Sequence, residues 1–224
     1  AIVALGGYGR GELAPFSDID LMFLCRDSHR EIPQRAAADI LQRLWDIGYH
    51  VGHSLRTVDD CIAMGRKDLT VRTALMEARF LTGSQRLFDR FRTSFDRKVT
   101  LRRQASFVAA NIKERRKDYE KYGTTVYLLE PNVKMSQGGL RDLHLYQWVS
   151  LCCHHTASLQ TLKHTGILNS RDFKALTEAQ EFLFWIRSQL HFDAGRCQDL
   201  LTFDEQIRLS LLRGFEEKGH LLGV

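Results

Sequence analysis

The sequence predicts an α/β domain followed by an all-helical one, and two observations carry that reading. From Ala1 to about Phe95, short apolar runs of strand length alternate with helical stretches, as expected for helices packed on a sheet. Beyond about Arg97 the apolar spacing is helical almost throughout, with clear interruptions only around Gly123 and Gly138–Gly139. The expected division is 1–96 and 97–224.

Taken in order, Ile2 to Leu5 is an apolar strand ending at the glycine pair Gly6–Gly7. Asp18 and Asp20 head a second run, Ile19 to Leu24, whose apolar character marks a buried strand. Ile32 to Gly48 reads as an amphipathic helix with Ile40, Leu41, Leu44, Trp45 and Ile47 on or near one face. Val58 to Leu81 reads as helical. In the second part, Leu140 to Cys152 and Phe173 to His191 have helical apolar spacing, which makes Trp148, Phe182, Trp185 and Ile186 core candidates.

Composition bounds the function. With 224 residues, 44% hydrophobic and 26% charged, the chain can bury a sizeable core. No run of about 18 apolar residues offers a membrane span, and the start resembles neither a signal nor a transit peptide. Ala1 enters a core strand directly, so a fragment of a longer protein is expected. The cysteines at 25, 61, 152, 153 and 197 show no C-x-x-C spacing, which points to the cytoplasm. Cys152, Cys153, His154 and His155 are adjacent. On a helix, however, consecutive side chains fan out by about 100° and cannot converge on one ion. Buried cysteines and surface histidines are expected.

The net charge of +5 raises the question of nucleic acid. Basic residues gather at Lys113–Lys117, KERRK, and around Arg97 to Arg103. Interleaved with Glu114, Asp118 and Glu120, the first run reads as a solvated helix face. Phe107, at its edge, is better explained as core than as a base-stacking platform. A protein partner is expected, with no specific nucleic acid.

The chemistry lies at the N-terminus. Side chains at i and i+2 of a strand share a face about 6.6 Å apart along the chain, a placement that suits Asp18 and Asp20 to grip divalent ions. Hard carboxylate oxygens favour magnesium, and a two-metal site can activate an attacking oxygen while neutralising a triphosphate. Gly6 and Gly7 let backbone N–H groups approach phosphate oxygens, and a following helix would add its positive end. Ser17 and Arg10 supply a hydroxyl and a fixed charge. Singly, a glycine pair is more often a tight turn and a D-x-D a solvated loop. In this order they make a stronger case.

Strand, glycine pair, intervening segment and strand-borne D-x-D resemble the nucleotidyltransferase superfamily. The fuller string GGYGRGELAPFSDIDL resembles its branch of bacterial PII uridylyltransferases. Tyr49–Thr57, YHVGHSLRT, is similar to that family's next strand, Asp68–Gly83 to the helix after it, and Glu130–Trp148, EPNVKMSQGGLRDLHLYQW, to a more specific signature beyond the catalytic domain. Gln137 stands where the family commonly has proline.

The resemblance implies a mixed sheet with helices, then the helical domain of that family. It also implies UTP and Mg2+, with Asp18 and Asp20 as catalytic metal ligands. Gly6, Gly7, Arg10 and Ser17 would lie at the triphosphate, and Lys134 or Arg141 near it. On the bare sequence, EPNVKMSQGGLRD is an interdomain loop and helix start in which Arg141 pairs locally. The implied reaction moves UMP to a tyrosine of the PII protein. The implied surroundings are downstream HD and ACT domains.

Many superfamily members carry a third acid where this chain has Gly52 or His53. His53 could be a base or a satisfied histidine; Asp68 reads as a helix cap and Glu77 as a surface charge. Glutamine synthetase adenylyltransferase, a non-catalytic nucleotide-binding module and an RNA-end nucleotidyltransferase remain alternatives.

Overall fold

The computed structural model describes residues 1–26 and 31–214, with the side chains of residues 32 and 33 left undescribed. The last ten residues of the expected 97–224 domain, 215–224, lie outside the described residues. The chain separates into two compact units. Unit 1 comprises Ala1–Leu13, Ser17–Ala110 and Trp148–His155, and unit 2 comprises Ala14–Phe16, Asn111–Gln147 and Thr156–Val224.

Unit 1 is built on a four-stranded mixed sheet of order β3-β2-β1-β4. Its strands are β1 (Ile2–Ala4), β2 (Ile19–Leu24), β3 (Val51–Arg56) and β4 (Arg79–Thr82). β1 runs antiparallel to β2 and β4, whereas β2 and β3 are parallel. The parallel pair is joined through α2 (Glu31–Asp46), the crossover that parallel strands require.

Strand alternation then sorts the two faces. Leu21 and Phe23 face Ala37 and Leu41 of α2, with Ile19, Val51, Ile40 and Leu44 packed around them. Met22 points the other way, to the Cys61 thiol at 3.5 Å on α3 (Val58–Lys67). α5 (Gln85–Phe95) adds a run of tilted rings, Phe88, Phe91 and Phe95. Phe91 and Phe95 are fully buried, each stabilising by about 2–3 kcal/mol relative to exposure.

Several expectations are corrected. The helical stretch expected over Val58–Leu81 breaks into α3, α4 (Leu69–Met76) and the strand β4. The break falls at Asp68, whose carboxylate accepts the Val71 N–H at 2.8 Å and caps α4. Asp68 is thus the cap its sequence context implied. On α2, Leu41 is buried but Trp45 is exposed, and Ile47 lies past the helix end and is exposed. The α2 stripe is therefore narrower than the sequence suggested.

The second part contains α6 (Gln104–Tyr122), α7 (Leu140–His154), α8 (Leu159–His164), α9 (Ser170–Ala194) and α10 (Phe203–Arg213). Residues 123–139 form one irregular stretch, and 195–202 are also non-helical. In unit 2, Ile186, Leu190, Leu209 and Val133 form a core with Trp185 and Leu201 packed against it. Phe182, expected in the core, is 37% exposed; Arg213 covers its ring at 5.2 Å. Cys152 is fully buried, but Cys153 is exposed along with His154 and His155. The cysteine expectation therefore holds only at Cys152.

Candidate functional site

The site in unit 1 starts from the parallel ladder. Asp20 is the second residue of β2, and its direct partner on β3 is Gly52. A Cβ at Gly52 would lie 2.5 Å from Oδ1 of Asp20, and a Cβ at Gly6 would lie 2.9 Å from Oδ2. The Asp20 carboxylate therefore occupies a slot that only two glycines leave open. Gly6 is required for a second reason, because its φ of +55° is a backbone region that side chains disfavour. Asp18 directly precedes β2, and both aspartates are exposed. Hard, exposed carboxylates one residue apart fit a divalent cation.

The glycine pair is not a loop ahead of a helix. Gly6 and Gly7 are themselves the first residues of the five-residue helix α1 (Gly6–Arg10), where N–H groups lack intrahelical acceptors. α1 is tied down by Arg79, which donates to the Tyr8 carbonyl at 2.6 Å and to the Gly9 carbonyl at 3.2 Å.

Arg10 closes this region. Its Nε meets Glu12 at 2.9 Å and its Nη1 meets Glu77 at 2.6 Å, while its Nη2 lies 3.8 Å from a Cβ at Gly7. Burial alone would lower its pKa, but the two carboxylates outweigh that and raise it. Glu77 is not the surface charge its sequence context implied. Its side chain is 7% exposed and also accepts the Trp148 indole N–H at 2.5 Å. Ser17 lies just ahead of Asp18 and is half-buried.

The third-acid question has a geometric answer on β3. Gly52 shares Asp20's register, whereas His53 pairs with Leu21 and lies edge-on to Trp45 of α2 at 5.9 Å. His53 thus belongs to the α2 face, opposite Asp20, and position 52 has no room for a carboxylate.

The segment EPNVKMSQGGLRD lies wholly in unit 2 and is organised by a residue that sequence reading missed. Arg115 belongs to the KERRK run read as a solvated face, yet its side chain is only 4% exposed. Its neighbours Lys113, Glu114, Arg116 and Lys117 are exposed as expected. Arg115 donates to the carbonyls of Met135 and Ser136, both at 2.8 Å, and to Asp142 at 2.6 Å. Asp142 also accepts from the Tyr119 hydroxyl at 2.6 Å and the Gly138 N–H at 2.7 Å. Burial would raise the Asp142 pKa, but these donors hold it below the ordinary carboxylate range. Within this loop the Arg141 N–H donates to the Lys134 carbonyl at 2.9 Å, which brings two of the expected residues together. Burial lowers the Lys134 pKa, helped by Arg187 and Arg141 and opposed by Asp199. Gln137 is exposed.

His191, Cys197 and Asp199 place potential ligand atoms within 4.8 Å of one another. Asp199 is already ion-paired with Arg187 at 2.7 Å, so a cation there would face a guanidinium.

Residues 106–224, which include the Arg115–Asp142 cluster, match the family model GlnD PII-uridylyltransferase. The chain belongs to that family. Curated relatives agree along the whole chain. A bifunctional uridylyltransferase/uridylyl-removing enzyme of Phenylobacterium zucineum is 41% identical over 224 residues, covering 98% of this chain and 23% of the relative. The protein of that name from Azospirillum brasilense is 41% identical over 223 residues, covering 100% of this chain and 24% of the relative. The one from Caulobacter vibrioides is 39% identical over 218 residues, covering 97% and 23%. The chain thus spans about a quarter of the length of these relatives. Within the family match, Arg115 is the enclosed residue that charge patterning hid, because a single buried arginine inside KERRK has the same composition as an exposed one.

Proposed function

We propose that this chain carries the nucleotide-transfer part of a PII uridylyltransferase, with residues 1–96 as the nucleotidyltransferase domain and 97–224 as the family's helical domain. The observation that carries this reading is the Asp20 carboxylate seated between Gly6 and Gly52, with Asp18 directly ahead of the strand. Magnesium held by Asp18 and Asp20 would neutralise the triphosphate and favour the ionised form of the attacking hydroxyl. Gly6 and Gly7 offer first-turn N–H groups to the phosphates, with Ser17 beside the aspartates and Arg10 behind the glycines. Lys134 and Arg141 are assigned to the triphosphate as well. The acceptor is a tyrosine hydroxyl of a PII-type protein, which attacks the α-phosphorus of UTP, taking the UMP group as pyrophosphate leaves and its own proton is lost.

The relatives' names join a transferring and a removing activity. We assign this chain the first, because its sequence contains no His-Asp dipeptide for the removing HD domain, which we place downstream with the ACT domains. Among the described residues, no helix is long and apolar enough to cross a membrane. We place the protein in the cytoplasm, with a protein rather than a specific nucleic acid as its macromolecular partner.

A second reading, nucleotide binding without turnover, is favoured by one observation: position 52 has no space for a third acid. Mass spectrometry of a PII protein incubated with the longer enzyme, magnesium and each nucleoside triphosphate separates the two. Uridylylated tyrosine supports transfer. Magnesium-dependent UTP binding with no adduct supports the regulatory module, and adenylylation supports the adenylyltransferase alternative.

A further inference from the structure

A cationic cavity also lies in unit 1. A cavity of about 760 Å³ is lined by Val99 and six cations, Arg66, Arg72, Arg97, Lys98, Arg102 and Arg103. Among the described residues none of the six is ion-paired with a carboxylate. A solvated basic face normally mixes both signs of charge; here no acid lines the wall.

The backbone at this cavity is also unusual. Asp96–Thr100 is a π-helical turn, a rare geometry that frequently occurs at functional sites. Arg103 has φ +51°, a strained conformation for a residue with a side chain. Arg72 pins the turn from one side. Its Nη2 donates to the carbonyls of Val99 at 2.8 Å, Thr100 at 3.2 Å and Arg102 at 3.0 Å, and its guanidinium stacks 4.1 Å from the Phe107 ring centroid. Arg66 reaches the Lys98 carbonyl at 3.4 Å. These two arginines satisfy the backbone and fix its path. Arg97, Lys98, Arg102 and Arg103 are exposed on one short segment, Arg102 also donating from Nε to the Arg97 carbonyl at 3.4 Å.

We propose that this cavity binds an oligophosphate, either a free polyphosphate chain or the phosphates of a nucleotide, separately from the Asp18–Asp20 site. Several phosphate groups on one small ligand match four clustered cations in number and reach, and the volume falls within that of ligand pockets, roughly 300–1,000 Å³. Charge-assisted hydrogen bonds from guanidinium forks would hold the phosphate oxygens.

Calorimetric titration of the 224-residue chain with sodium tripolyphosphate, at low salt and with EDTA present, tests this directly. One equivalent should bind, and Arg97→Gln/Arg103→Gln should weaken binding at least about tenfold with an unchanged melting curve. Asp20→Asn should bind as the wild type does, so failure of the uridylyltransferase reading would not affect this result. Lys113→Gln/Arg116→Gln removes the same charge elsewhere and should also bind normally. ATP binding more tightly than tripolyphosphate would assign the site to a nucleotide; equal or weaker binding would assign it to polyphosphate. The proposal is overturned by no tripolyphosphate binding, by equal losses in the two double variants, by loss in Asp20→Asn, or by retention of single-stranded RNA alone.

Discussion

A Cβ at Gly52 would lie 2.5 Å from Oδ1 of Asp20, its direct partner across the parallel β2–β3 ladder. The glycine on β3 is therefore the wall that sets where the carboxylate on β2 points. Gly52→Ala should push Asp20 out of its slot, lowering transfer by the longer enzyme roughly 100-fold, the scale associated with displacing a reacting group by about 1 Å. Gly52 is exposed near the start of its strand, so the melting temperature should change little. Wild-type transfer rates in Gly52→Ala, measured alongside its melting curve, would show that Asp20 is not positioned by this contact.

Asp142 neutralises an arginine that is almost wholly enclosed. Asp142→Asn should leave the Arg115 guanidinium with only the longer Asp118 contact at 3.4 Å and cost about 3 kcal/mol, as when one member of a buried pair is removed. The 123–139 stretch should then become sensitive to limited proteolysis, because Arg115 also holds its Met135 and Ser136 carbonyls. Denaturant unfolding gives the energy; an unchanged midpoint would mean the cluster is not a structural centre.

Asp199 gives a pH signature. Burial opposes its ionisation, but His191, Arg187 and Lys134 together lower its pKa from 3.8 to about 2. A carboxylate depressed in the folded state contributes stability that is fully present above its unfolded pKa and is lost as pH falls through the folded value. The contribution, roughly 2 kcal/mol at 1.36 kcal/mol per unit, should thus be complete above about pH 4 and fade towards pH 2. Asp199→Asn should be less stable at neutral pH, with the gap to wild type narrowing over that acid window. Parallel urea titrations at several pH values check this, and a pH-independent gap would contradict it.

The parts of the fold legible in the sequence were those with period and length. The strands at Ile2 and Ile19, the α2 helix and the long helices after Arg97 each repeat an apolar pattern over enough residues to identify them. β4 escaped because four residues, Arg79–Thr82, follow a helix without a glycine or proline between them. At the site, the order of glycine pair and D-x-D was visible, whereas the Asp20–Gly52 partnership was not, since register depends on which strands meet. The same limit hid Glu77 and Arg115. Each has the composition of a surface charge, and only partners 67 residues away for Arg10–Glu77 and 27 away for Arg115–Asp142 show it to be enclosed.

The most direct measurement is the rate at which the longer enzyme modifies a PII protein with UTP, compared between wild type and Asp20→Asn across a magnesium titration. Asp20→Asn should abolish transfer at every magnesium concentration while retaining the wild-type circular dichroism spectrum, because the near-isosteric amide removes the charge that holds the metal. Transfer by Asp20→Asn at the wild-type rate would contradict the assignment of this carboxylate as the metal ligand.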